Sequence, residues 1–461
     1  MTADAQLWKR SAAELSAAYR EGSATPDDAL AAVLARLDDV NPRINAVVTL
    51  DRDGAQRAAH ESTQRWKEGS ARGPLDGVPI TIKDNILVGG LRATWGSRLY
   101  ADHVPANDEE PVVRLRNAGV VIVGKTNVPE FTLHGTTRNE LFGVTRNPFD
   151  LALTPGGSSG GAAAAVASGI GPLALGTDGG GSIRRPAAHT GLVGFKPSTG
   201  MVPRSHGFPV ILHDFEVAAP LARNVGDCIL AMNAIGGPRW WRSDGEGAAT
   251  SLRILHVAAF GDEPIDAGIG VAIADVAARL ASMGHRVMRA PRFDLARPVG
   301  DIWPVISCSG LHGLLSQHKD AGGKIGKEIA ELAQNGAGYS AVDYAEALAA
   351  IEDMRKSFDA LFADVDVLLT PATAAMPWPA EDTHPPVIAG QSVGPRGHAM
   401  FTPFANVLGL PAISLPCPVG AGALPIGFQL CMAKDRDAEL LAFALACERQ
   451  FARPFAWPSE Q

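Results

Sequence analysis

Residues 156–161 read Gly-Gly-Ser-Ser-Gly-Gly, two adjacent serines between two pairs of glycines. Without a Cβ, glycine lets backbone approach a reacting atom closely, so Ser158 and Ser159 are candidates for hydroxyl chemistry. With Ser159 at its centre, the run 157–161 fits G-x-S-x-G, the elbow that presents a nucleophilic serine between a strand and a helix. That elbow needs a strand leading into it, and the preceding NPFDLALTP is punctuated by prolines. The plainer alternative has both serines capping free N–H groups of the Ala-rich segment that follows.

A serine hydroxyl is a weak nucleophile until a base can take its proton. Lys83 ends the alternating run VPITIK, and a lysine at the mouth of a buried strand has its pKa lowered by desolvation. A surface lysine closing a strand is the other reading. The third stretch is GTDGGGSIRRPAA, residues 176–188. Gly179, Gly180 and Gly181 before Ser182 offer successive N–H groups with no side chains in the way, as a backbone oxyanion hole requires. A flexible turn is the alternative there.

These residues need a scaffold. Thr25, Pro26 and the acids at 27 and 28 open a predicted helix over 25–40. The spacing predicts further helices over 161–169, 268–284, 341–365 and 437–451. Strands are expected over 78–82, 119–124, 252–260, 366–371 and 411–416. Alternation of strands and helices without repeats argues a layered α/β core, with a loop over 236–251 as the best internal boundary. GVVIVGKT (119–126) fits the phosphate-loop pattern, but its Val-Val-Ile-Val centre reads as a strand, and Pro129 stands where the helix should begin. GIGPLA (169–174) follows a helix instead of opening one, so it is a weak dinucleotide fingerprint.

The 461 residues carry a net charge of -8, which gives no reason to expect nucleic acid or an anionic membrane as partner. Five widely spaced cysteines with no C-x-x-C read as buried thiols in a reducing compartment. The first residues lack the apolar stretch of a signal peptide, and no run reaches the length of a spanning helix. A cytoplasmic protein is expected.

The blocks GPLDGVPITIKDN, VGKTNVPEF, GVTRNPFD, TPGGSSGGAAAAVASG, GTDGGGSIRRPAAHTGLVGFKPSTG, FTPFANVLGLPAISLP and PIGFQL occur in this order along nearly the whole chain. In these blocks, and in the intervals from Lys83 to Ser158 and on to Ser182, the chain resembles the amidase signature family. The resemblance implies one large α/β/α layered domain over 1–461, with a central mixed twisted sheet covered by helices. Its signature core covers about 73–203 and a more variable, substrate-shaping segment about 236–400.

It also implies roles. Ser182 is the expected nucleophile, Ser158 the relay after a cis Gly157–Ser158 peptide, and Lys83 the base. The oxyanion would meet N–H groups of Gly179, Gly180, Gly181 and Ser182, with Ser159, Thr177, Asp178 and Arg184 in support. Substrate contacts are expected from Thr132, Leu133, His134 and Gly157. By residue type alone, Trp303, Met376 and Trp378 either line an apolar pocket or belong to the ordinary core. No metal or organic cofactor is implied.

The expected substrate is a small or aryl amide, with carbamates and esters offering the same carbonyl, and the expected assembly a monomer or homodimer. The rival within the family is the glutaminase component of a tRNA-dependent amidotransferase, in which an acid shortly precedes the FT-x-PAN block. Here Ala399 occupies the corresponding place, and Phe404 stands where that block has a small residue. A binding or scaffold protein without activity is the non-enzyme reading, disfavoured by the presence of Lys83, Ser158, Ser182 and the glycine run.

Overall fold

In a computed structural model, which describes residues 6–240, 247, 251–318, 321–420, 422–451 and 455–458, the first long helix runs from Pro26 to Ile44. The Thr25 hydroxyl accepts from the Asp28 N–H at 3.1 Å while the Asp28 carboxylate accepts from the Thr25 N–H at 3.0 Å. This reciprocal cap starts the helix where its sequence predicts. The helix outlasts the predicted end by four residues, passing Pro42 to stop at Asn45, which turns to φ 49. The Asn41 side chain secures that end: its carbonyl accepts the N–H groups of Ala46 and Val47, and its amide donates to the Val47 carbonyl.

One mixed sheet of eleven strands organises the chain. Across the sheet the strands are Val47–Leu50, Val121–Thr126, Pro79–Lys83, Leu173–Asp178, Val217–Ala222, Val193–Lys196, Ala412–Pro416, Gly427–Cys431, Val367–Pro371, Arg253–Val257 and Arg286–Ala290. Pro79–Lys83 lies between two parallel neighbours, and the strands from Val217 to Val367 pair antiparallel. The strands of the variable segment therefore extend the sheet of the signature core, and the chain forms a single α/β domain. The loop predicted over 236–251 falls largely outside the described residues.

GVVIVGKT is a strand, as its composition predicts, though shifted two residues onward to Val121–Thr126 because Gly119, at φ +83, makes the turn before it. Lying between Val47–Leu50 and Pro79–Lys83, its backbone belongs to the sheet and cannot cradle a phosphate. The helix after the two serines, Gly160–Ala167, is buried along its whole length. Only small residues suit it, because it packs on the helix Arg184–Thr190 as well as on the sheet.

Two large apolar clusters follow from this layering. One joins Ile80, Ile82 and Leu175 to the closing helix Asp437–Phe451 through Leu440 and Phe443. The other collects Phe260, Phe293 and Phe358 from the variable segment with Phe401 and Phe404 from the FTPFAN block. Phe404 is fully buried, stacked on Phe358 at a ring separation of 5.5 Å. It is core filling, so its size serves packing in this second cluster. Phe404→Ala is expected to cost about 3–5 kcal/mol. Denaturant unfolding with an unchanged slope and a lower midpoint checks this.

Candidate active site

Pro79–Lys83 and Leu173–Asp178 are adjacent and parallel, so Lys83 and Thr177–Asp178 emerge at the same edge of the sheet, the edge where open α/β sheets place ligands. The two serines lie just before the helix Gly160–Ala167, and Ser182 just before the helix Arg184–Thr190. The Ser159 N–H donates to the Ser182 carbonyl at 3.1 Å and ties the two loops together.

Lys83 is fully buried, with Nζ hydrogen-bonded to Ser158 Oγ at 2.8 Å. The same nitrogen donates to Thr177 Oγ1 at 2.8 Å and to the Thr177 carbonyl at 3.2 Å. Burial drives the Lys83 pKa down to about 7, with Glu216 and Asp178 pulling the other way. The Gly157–Ser158 peptide is cis.

Ser159 neither caps the helix with its side chain nor lines the cavity: it is fully buried, and its hydroxyl donates to the Thr177 carbonyl at 3.0 Å. That geometry removes both the elbow and the capping readings of Ser159. Ser182, in contrast, lines a cavity of about 370 Å³, and among the described residues its Oγ has no hydrogen-bond partner.

Asp178 shapes the glycine loop. Its carboxylate accepts the Gly181 N–H at 2.6 Å, the Ile183 N–H at 3.1 Å, and the Arg184 guanidinium at 2.8 and 3.0 Å. Burial works against the charge, but Arg184 and the hydrogen bonds outweigh it and hold the carboxyl well below the usual carboxylate range. The Gly181 N–H is thereby engaged, which corrects the expectation that it faces an oxyanion. The N–H groups of Gly179, Gly180 and Ser182 remain without partners among the described residues. A Cβ on Gly180 would lie 2.5 Å from the Trp303 ring, and one on Gly181, at φ +106, would lie 2.0 Å from Thr402 Oγ1. Neither position has room for a side chain.

Thr132, Leu133 and His134 line the cavity, His134 lying 3.5 Å from Glu328. Gly157 does not; its carbonyl accepts from Arg185 at 3.3 Å. Trp303 lines the cavity, but Met376 and Trp378 do not, since Met376 packs on the first core cluster and Trp378 against His189 and His398.

Several residues beyond those expected from the sequence complete the site. Arg185 donates to the Gly180 carbonyl, and Thr402 Oγ1 donates to the same carbonyl at 2.9 Å. Asn406 donates to the Asp178 carbonyl at 2.8 Å, and Gln429 accepts from Arg184 at 2.6 Å. Thr402 and Asn406 lie within the FTPFAN block, so the motif itself is their only signal. Among the described residues no group of three His, Cys, Asp or Glu side chains could hold a metal ion, and no helix is long and apolar enough to cross a membrane.

A profile of the Amidase family matches residues 28–441. The chain is 33% identical to an acylamidase of Rhodococcus erythropolis over 97% of its own length and 96% of that protein. It is 34% identical to the glutamyl-tRNA(Gln) amidotransferase A component of Carboxydothermus hydrogenoformans, covering 96% of this chain and 98% of that one. A crystal structure of a bacterial aryl acylamidase of the amidase signature family superposes with a TM-score of 0.88 at 28% identity, covering 98% of this chain and 99% of that one. This chain belongs to the amidase family.

The buried amine has a consequence for stability. The Lys83 pKa of about 7 in the fold lies below its ordinary 10.5, so across that window the unfolded chain binds a proton that the folded chain does not. Stability rises with pH there. Lys83→Met removes this linkage. Relative to the parent protein, the variant is expected to gain most at and below pH 7, and the difference should shrink as pH approaches 10.5. Denaturant unfolding across that range checks it; a pH-independent difference would sink the assignment of a neutral Lys83.

Proposed function

We propose that this protein is an amidase that hydrolyses the C–N bond of a small or aryl amide through a Ser-Ser-Lys relay and an acyl-enzyme. The observation that carries the reading is the buried Lys83 amine, held 2.8 Å from Ser158 with its pKa brought to about 7. A neutral amine has two N–H groups and one lone pair. Thr177 accepts both N–H groups through its hydroxyl and its carbonyl. The lone pair is left for the Ser158 proton.

Lys83 takes that proton as Ser158 takes one from Ser182, whose Oγ attacks the amide carbonyl. The link between the two hydroxyls closes as substrate seats, since catalytic hydrogen bonds commonly tighten only in the complex. The oxyanion meets the unpartnered N–H groups of Gly179, Gly180 and Ser182. The proton returns through Ser158 to the leaving nitrogen, without which an amide anion would have to depart. Water then cleaves the acyl-enzyme by the reverse path.

Carbamates and esters present the same carbonyl to the same groups and are candidate substrates alongside amides. The chain is as similar to an acylamidase as to an amidotransferase A component, so the choice between free-standing hydrolase and glutaminase rests on the cavity. Against the glutaminase reading, Ala399 lines the cavity at the place where the resemblance calls for an acid.

A fluorophosphonate probe is expected to label Ser182, and Ser182→Ala to abolish both labelling and turnover of p-nitroacetanilide. Lys83→Ala should lower kcat/KM by about 10²–10⁴-fold, the usual range for a positioned base. In the parent enzyme kcat/KM should climb as pH rises through about 7 and then level, because the neutral amine is the active form. Assays of p-nitroacetanilide, an aryl carbamate and glutamine side by side rank the substrates. Labelling on Ser159, or a pH profile flat through 7, would contradict the mechanism.

A further inference from the structure

The charges around the cavity do not balance. Of its carboxylates, Glu216 pairs with Arg204 at 2.6 Å, while Glu328, 3.5 Å from His134, and Glu331, 3.8 Å from Lys327, have side chains at least half open to water. Its two arginines have no such pairing. Among the described residues, neither Arg185 nor Arg396 has a carboxylate within ion-pair distance. Arg396 stands at the exposed rim with its guanidinium 4.2 Å above the Trp303 ring.

Arg185 is buried, 6% exposed, three residues beyond Ser182. Its Nη1 donates to the Gly180 carbonyl and to Thr402 Oγ1, and its Nη2 donates to the Gly157 carbonyl. Those neutral oxygens answer hydrogens but not the charge. Among the described residues the Nε–H has no partner, and Nε with Nη2 forms the edge by which a guanidinium grips a carboxylate through parallel hydrogen bonds. His398, on the same cavity wall, has both ring nitrogens unpartnered. Burial first, then Arg185, His189 and Arg396, push its pKa well below the usual imidazole value, so a neutral imidazole stands beside the two arginines. A buried cation without a counter-ion is destabilising in the free protein and stabilised by an anion that arrives with the substrate.

We propose that the cavity selects amides bearing a carboxylate on the part of the substrate that reaches Arg185, with Arg185 as its counter-ion and Arg396 as a second cation at the rim. This rests on the amidase reading and narrows its substrate class to acidic amides, such as the monoamide of a short dicarboxylic acid. Hydrolysis would release a free amine and a dicarboxylate.

The test compares the mono-p-nitroanilides of malonic, succinic and glutaric acids with their neutral propionyl, butyryl and valeryl counterparts on the full-length enzyme, following p-nitroaniline release. At one chain length or more, the acidic amide should show kcat/KM at least about tenfold above its neutral twin at low salt. That preference should fall by about threefold or more in high salt and in Arg396→Gln, and disappear in Arg185→Met. The ratio between twins, measured within each variant, separates recognition of the acid from general damage to the glycine loop. If the neutral twins match or exceed the acidic amides at every length, the inference is overturned and the amidase reading stands. If none of these amides is cleaved, both are overturned.

Discussion

The buried pair of Asp178 and Arg184 is the interaction on which the rest of the site depends. Asp178 ends a central strand, and its carboxylate gathers the N–H groups of Gly181 and Ile183 with the Arg184 guanidinium. Arg184 in turn reaches the Thr402 carbonyl, Gln429 and Asn406, residues more than two hundred positions away in the chain. One ion pair therefore sets the curvature of the glycine loop and fastens it to the FTPFAN and PIGFQL blocks near the end of the chain. Removing one partner of such a pair would leave the other charge unanswered in the interior.

Lys83 shows the opposite solution to the same problem. No carboxylate salt-bridges it among the described residues; its contacts are hydroxyls and a carbonyl. Burial therefore lowers its pKa instead of being offset by an ion pair. Lys125, on the neighbouring strand and equally buried, has the Asp84 carboxylate at 3.6 Å that Lys83 lacks, though burial still outweighs it and lowers the Lys125 pKa too. Two lysines at the ends of adjacent strands thus differ in charge environment because of what the loops beyond them carry.

The cavity is a joint product of two parts of the chain. The signature core supplies Ser182 and the glycines; the variable segment supplies Trp303, Arg396 and Ala399. Trp303 packs so closely on Gly180 that the absence of a side chain there is a condition of closure. Phe215 stacks on Trp303 at a ring separation of 6.0 Å.

The sequence by itself determined the layered α/β class, the positions of five of the eleven sheet strands and of five helices, and the blocks that carry Lys83, Ser158 and Ser182. Those depend on local periodicity, capping and motif order, which are written along the chain. The tertiary structure alone decided which N–H groups remain open, because the engagement of Gly181 by Asp178 depends on how the loop folds back. It also decided that Phe404 fills the core, that Met376 and Trp378 lie away from the cavity, and that Arg185 stands beside Ser182 without a carboxylate. Each of these is a matter of which distant groups come within a few ångströms of one another, and no local pattern encodes that.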